Sequence, residues 1–243
     1  MIRKILSVRK KEFPKSHSKR NHDIQRIETF SDGVFAFAVT LLIVSLEVPH
    51  TFEELLTTMR GFFAFGISFL ILFSIWNEQH RFFRTYGLDD YLTLALNGML
   101  LFIVLFYVYP LKFLFSLMFS DQIYGLHKSP FIISQHQTPT LMIIYGLGFL
   151  TIYLLFMFMY EHAFRKSKEL GLSSAEKFAC KTNVYRALIM VSIALVSIIM
   201  ALMLSDEDSG FAGFAYFLIG PAFSIFYTLR NKLRRKQNLE REE

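Results

Sequence analysis

The chain has 243 residues, 53% of them hydrophobic, with 28 Phe and a positive mean hydropathy. The apolar residues fall in blocks of about 20, the length that crosses a bilayer, which excludes a water-soluble globular domain. The formal net charge is +6, but its distribution marks membrane topology rather than a nucleic-acid surface, and the single Cys, Cys180, excludes an intrachain disulfide.

Residues 1–28 read as a basic tail rich in Lys, Arg, Ser and His, which an anionic lipid surface would attract. The first span is expected at 29–48, closed by Pro49. The second runs over 61–83 and carries Trp76, Asn77, Glu78, His80 and Arg81 near its end. The third covers 91–110, with Asn97 inside and Pro110 at its end, and the apolar run to 119 continues it past a kink or lies along the interface. A long link, 120–138, leads to Thr138-Pro139, which reads as a cap and first turn for a fourth span at 139–161. The basic link 162–181 is expected to be partly helical, with Ser173 and Ser174 before Glu176 as a cap. A fifth span at 183–204, an acidic tight link and a sixth span at 211–229 follow. Gly220-Pro221 is expected to kink the last span, and residues 230–243 form a basic tail.

The fold class is therefore all-α: a polytopic membrane protein whose single transmembrane domain, 29–229, lies between two basic tails. In a six-span topology, 23 of the 26 Lys and Arg fall on one side, which places both termini in the cytoplasm of a cell's inner (plasma) membrane. No phosphate-cradling loop, nucleophile elbow or paired metal-ligand spacing is visible. Neither an enzyme, a cofactor, a bound metal nor a nucleic-acid partner is expected.

The first span is the chemically distinctive one. Arg26-Ile27-Glu28-Thr29-Phe30-Ser31-Asp32-Gly33 enters an apolar helix with no neutral spacer. Residues 30–48 span roughly 28 Å as a helix, so Asp32 sits at or inside the membrane boundary. Ionisable groups there are costly and mark functional sites by default. At about 100° per residue, Gly33, Phe37, Thr40, Val44 and Glu47 form one narrow stripe with Leu41 at its edge, while Asp32 and Ser31 lie on other faces. From periodicity alone the stripe fits lipid contact or bundle packing, and Thr40 fits a back-bond to its own helix. If Asp32 is buried, its partners must come from another helix. Trp76, Asn77 and His80 reach the same depth, although Trp76 alone also fits an interfacial aromatic belt.

Arg26-x-x-x-Phe30-Ser31-Asp32, followed by an Ala/Val/Thr/Leu-rich helix within six spans and a late Trp/Asn/His cluster in span two, resembles the prokaryotic relatives of the endosomal/lysosomal potassium channel. The resemblance implies a homotetramer of six-span subunits with a potassium-selective leak pore and no carbonyl filter. It implies that the first helix lines the pore, with Phe37, Thr40, Leu41 and Val44 at the constriction and transient potassium near Thr40. It also implies a bracing network of Arg26, Phe30, Ser31, Asp32, Trp76, Asn77 and His80. Phe37 departs from the branched aliphatic usual at the first constriction position. Permeant monovalent cations and membrane lipids are the partners this reading implies. The alternative reading is a proton-coupled transporter or proton pathway using Asp32 and His80.

Overall fold

The computed structural model describes residues 26–44, 50–119 and 133–239. The expectations for residues 1–25, 45–49, 120–132 and 240–243 fall outside these, as do the side chains of Ile43 and Val44. Among the described residues there are helices and no strand. They are α1 (Arg26–Val44), α2 (Phe52–Tyr86), α3 (Tyr91–Met118), α4 (Thr138–Arg165), α5 (Ser174–Met203) and α6 (Ile219–Leu239), with 3-10 segments at Gln135–Gln137 and Ser209–Leu218. Five helical stretches are long and apolar enough to cross a membrane. The first apolar stretch is described only as far as Val44.

Helix ends follow local chemistry more closely than they follow hydropathy. Helix α2 starts at Phe52 because Thr51 Oγ1 accepts from the Glu54 amide at 3.1 Å while the Glu54 carboxylate accepts from the Thr51 amide. This reciprocal cap satisfies two otherwise orphaned donors and makes most of the expected link 49–60 helical. The helix stops at Gly87, whose φ of 57° is a left-handed conformation that glycine adopts without penalty. Ser173 and Glu176 form the same reciprocal cap on α5, as the sequence suggests. At the start of α4 the cap is Ser134, paired with Gln137 around a 3-10 turn, and Thr138 is already helical. Pro110 lies inside α3, which continues to Met118.

The last apolar stretch changes geometry where a kink was expected. Residues Ser209–Leu218 are a 3-10 helix and α-helix begins at Ile219, just before Pro221. The three-residue period is written in the side chains. Ser209, Ala212 and Ala215 are buried, while Phe211, Phe214 and Phe217 are exposed. Successive Phe rings in that row sit 5.7 Å apart, and the buried side is held by Ser197 Oγ donating to the Ala212 carbonyl at 2.9 Å.

The core lies where α2, α3 and α4 meet, around Phe82, Phe83, Tyr86, Leu100, Val104, Ile152, Phe156 and Tyr160. Two glycines on α4 allow close approach. A Cβ on Gly148 would stand 2.3 Å from the Tyr107 ring of α3, and one on Gly146 would stand 2.5 Å from Ile198 of α5. Small residues at such crossings are how membrane helices gain packing contact. Helix α4 packs most extensively on α5, whereas α1 packs on α2 and α3 alone among the described elements. Among the described residues the backbone of α6 approaches only α5 and the 3-10 segment, and the backbone of α2 stays clear of α5 and α6.

Candidate pore face and its bracing network

Because α1 touches only α2 and α3, it has a covered side and an open side. Ser31, Phe35, Ala38 and Leu42 recur every three or four residues and are all buried. Ala38 is a contact point where a small side chain lets the helices close. The opposite side carries Gly33, Ala36, Phe37 and Thr40, all exposed in the subunit, with Phe37 56% exposed. This is the stripe read from spacing, placed directly opposite the packing face. Leu41 sits at its edge, half-buried against the core. Thr40 Oγ1 donates to the Ala36 carbonyl at 2.9 Å. Its proton is thus committed within the helix, while its oxygen keeps acceptor capacity toward the open side. At the far end of α1, Lys112 of α3 donates to the Leu42 carbonyl at 2.8 Å, satisfying a group that the end of a helix leaves open.

Polar bonds hold α1 at the depth of Ser31, which is buried on the covered side, and of Asp32, which stands exposed at the flank beside α2. Trp76 Nε1 donates to Asp32 Oδ1 at 2.7 Å, the pairing expected between spans one and two. Trp76 also belongs to a row of rings along α2. Phe62, Phe65, Phe69, Phe73, Trp76 and His80 follow one another with centroids 5.2–6.2 Å apart. His80 stacks on the Trp76 ring and makes no hydrogen bond to Asp32.

Other expected members of the network are placed differently. Ser31 is bonded not to α2 but to α3: Asn97 Nδ2 donates to Ser31 Oγ at 3.0 Å, and Ser31 Oγ donates to the Ile27 carbonyl at 2.7 Å. Gln79 Nε2 of α2 donates to Asn97 Oδ1 at 3.1 Å, so a buried chain of amide and hydroxyl groups joins three helices. Asn77 is exposed and turned away from α1, because it lies about 100° around α2 from Trp76. Arg26 is exposed and makes no polar bond among the described residues. Phe30 is 66% exposed.

Two clusters were not legible as sites. Glu78, 8% exposed, accepts from Tyr160 and Arg186 on one oxygen and from Arg81 on the other. Arg186 is a charged residue inside an otherwise apolar span, a signal that marks buried pairing. In the link after α2, Asp90 accepts from Thr93 at 2.7 Å, meets His162 Nε2 at 2.8 Å and faces Lys166. Burial raises the Asp90 pKa, but the Thr93 and His162 hydrogen bonds and the His162 and Lys166 charges outweigh it and hold the carboxyl below its usual range. No group of three His, Cys, Asp or Glu side chains placed to hold a metal occurs among the described residues.

Fold and site together define a multi-pass, all-helical membrane protein whose first helix is braced on one side by polar bonds to its neighbours and bare on the other. Residues 26–107, which hold that helix and its two neighbours, match the family model described as endosomal/lysosomal potassium channel TMEM175. A Marivirga tractuosa protein named potassium channel is 40% identical over 232 residues, 90% of this chain and 92% of that one. A crystal structure of a variant of the potassium channel MtTMEM175 superposes with a TM-score of 0.77 at 37% identity, covering 88% of this chain and 96% of that one. A Chamaesiphon minutus homolog described as a lysosomal potassium-selective channel TMEM175 homolog has a TM-score of 0.53 at 23% identity, covering 85% and 97%, a likeness of fold. The chain belongs to the TMEM175 potassium channel family, a family of channels rather than enzymes.

Proposed function

We propose that four copies of this chain surround one axis in a cell's inner membrane, with the open side of α1 lining a potassium-selective leak pathway and both termini in the cytoplasm. The observation that carries the reading is the one-sidedness of α1. The covered face is braced by Asn97 and Lys112 and the flank by Trp76, while Phe37 and Thr40 stand exposed on the opposite face. Potassium permeation accords with the potassium channels among its relatives. The transmembrane domain would then be 29–229, with the basic tails on the side that holds most of the Lys and Arg.

In this mechanism the rings of Phe37 and Leu41 make a narrow apolar passage in which an ion must shed water. That cost is lower for potassium than for the more strongly hydrated sodium ion. Four Thr40 oxygens, their protons bound to Ala36 carbonyls, offer a ring of acceptors to a partly dehydrated cation. Val44 would extend the same stripe one turn further. The alternative, proton transfer between Asp32 and His80, lacks a hydrogen-bonded path between those groups, since the Trp76 indole bonds Asp32 and stacks on His80.

The test is flux from purified protein in liposomes, comparing potassium, sodium and caesium. Passive flux along the potassium gradient, faster than for sodium, is expected. Thr40→Ala should lower the potassium-to-sodium ratio. An unchanged ratio would remove Thr40 from the filter, and saturable counterflow driven by a pH gradient would replace the channel by the transporter.

A further inference from the structure

We propose that the gap between α2 and the α5–α6 pair binds an anionic phospholipid, with its phosphate on Arg81 and Arg186. This is independent of which ion the protein passes. The gap is a cavity of about 310 Å³ lined by α2, α4, α5 and α6, left because the α2 backbone stays clear of those of α5 and α6.

Its floor carries unbalanced charge. Glu78 is shared by two guanidiniums, Arg186 on one oxygen and Arg81 on the other, and the Tyr160 hydroxyl takes a further position on the first. One carboxylate against two arginines leaves a net charge of +1. The Arg186 side chain is only 17% exposed. Glu78 balances the buried Arg186, so the excess charge rests on Arg81, which is 53% exposed and open to an anion. A phosphate monoanion balances that charge and accepts from guanidinium in the geometry that suits it best.

The walls say that the anion brings hydrocarbon with it. Phe73, Phe156, Met190 and Phe223 line the cavity beside the charged floor. On α2, α5 and α6 a charged or hydroxyl-bearing lining residue lies toward the same end. Arg81 follows Phe73 on α2, Tyr227 follows Phe223 on α6, and Arg186 precedes Met190 on α5, which runs the other way. A polar end and an apolar end aligned along the membrane normal match a lipid headgroup above its chains. A free phosphate would use the floor alone. In the proposed topology the charged end faces the cytoplasm, the side where anionic headgroups draw basic segments.

The experiment is native mass spectrometry of the full chain released from detergent, titrated separately with phosphatidylglycerol, phosphatidylcholine and inorganic phosphate. Phosphatidylglycerol should be retained about fivefold more tightly than phosphatidylcholine, the effect of roughly one basic side chain on an anionic lipid. Arg81 is 53% exposed, so Arg81→Gln leaves the core intact and should abolish that preference. Glu78→Gln removes the competing carboxylate and should strengthen the preference. Equal retention of the two lipids by the unaltered chain overturns the proposal, as does a preference indifferent to both substitutions. Inorganic phosphate that displaces phosphatidylglycerol at equal concentration would assign the floor to a free anion instead and overturn the lipid.

Discussion

Replacing Asn97 by leucine cuts the only side-chain chain of hydrogen bonds that joins α1, α2 and α3 among the described residues. Asn97 is 1% exposed, Gln79 2% and Ser31 0%, so the groups it bonds are closed off from bulk water. The substitution conserves bulk and leaves the Gln79 donor without its acceptor at Asn97 and the Ser31 oxygen without its donor there. An orphaned buried group costs about 1–3 kcal/mol. Interhelical hydrogen bonds in membranes average about 0.6 kcal/mol with a ceiling near 1.7, because the unfolded chain also finds partners. The two bounds together predict a loss of roughly 1–3 kcal/mol for Asn97→Leu. Of this, about 0.6–1.7 kcal/mol should be coupled to Ser31. The assay is reversible unfolding in mixed micelles, followed by the fluorescence of Trp76, the single Trp of the chain. It is run on Asn97→Leu, Ser31→Ala and the double variant. The Ser31 back-bond to Ile27 is lost in both arms of the cycle and cancels. If the two single losses simply add, Ser31 and Asn97 do not hold each other and the bracing account of α1 fails.

Gly148→Ala is expected to destabilise by about 1–3 kcal/mol, the usual cost of forcing an extra methyl into a packed contact. The Tyr107 ring that it strikes is buried and held through its hydroxyl to the Tyr145 carbonyl at 3.2 Å, and thermal unfolding of the variant measures the loss. The Asp90 cluster sets an acid limit. Its carboxyl is lowered on folding, so its contribution is complete above the unfolded value of about 4 and fades as pH falls through the folded value below that. Stability of the unaltered chain should therefore drop faster on acidification through that window than stability of Asp90→Asn. Parallel pH profiles would dismiss the cluster as a stabilising element.

What could be read in advance was whatever repeats at helical period or stands out as a misplaced charge. The apolar blocks gave the helices, and the Phe37–Thr40 stripe emerged opposite the face that packs. Asp32 demanded a partner, and Trp76 is that partner. Ser173 and Glu176 announced a helix start three residues apart. Thr51 and Glu54 carry the same signature, yet it lies outside the apolar run, and hydropathy therefore places the start of α2 too late. Partners distant in sequence left no periodic trace. Ser31 and Asn97 are 66 residues apart, and Glu78 and Arg186 are 108 apart. Asn77 illustrates the converse error. It shares a depth with Trp76 but not a helix face, and depth alone does not make a contact.

The 3-10 segment gives the last apolar stretch a mechanical property. Ten residues in that geometry extend about 20 Å and turn about 120° each, whereas as α-helix they would extend about 15 Å and turn about 100° each. Winding Ser209–Leu218 into α-helix would draw α6 inward by about 5 Å and rotate it by about 200°. The segment is thus a screw thread carrying α6. Arg230, donating to Thr182 Oγ1 at 3.0 Å and lying over the Phe178 ring, ties α6 to α5 and so fixes the pitch and phase at which that thread delivers the helix.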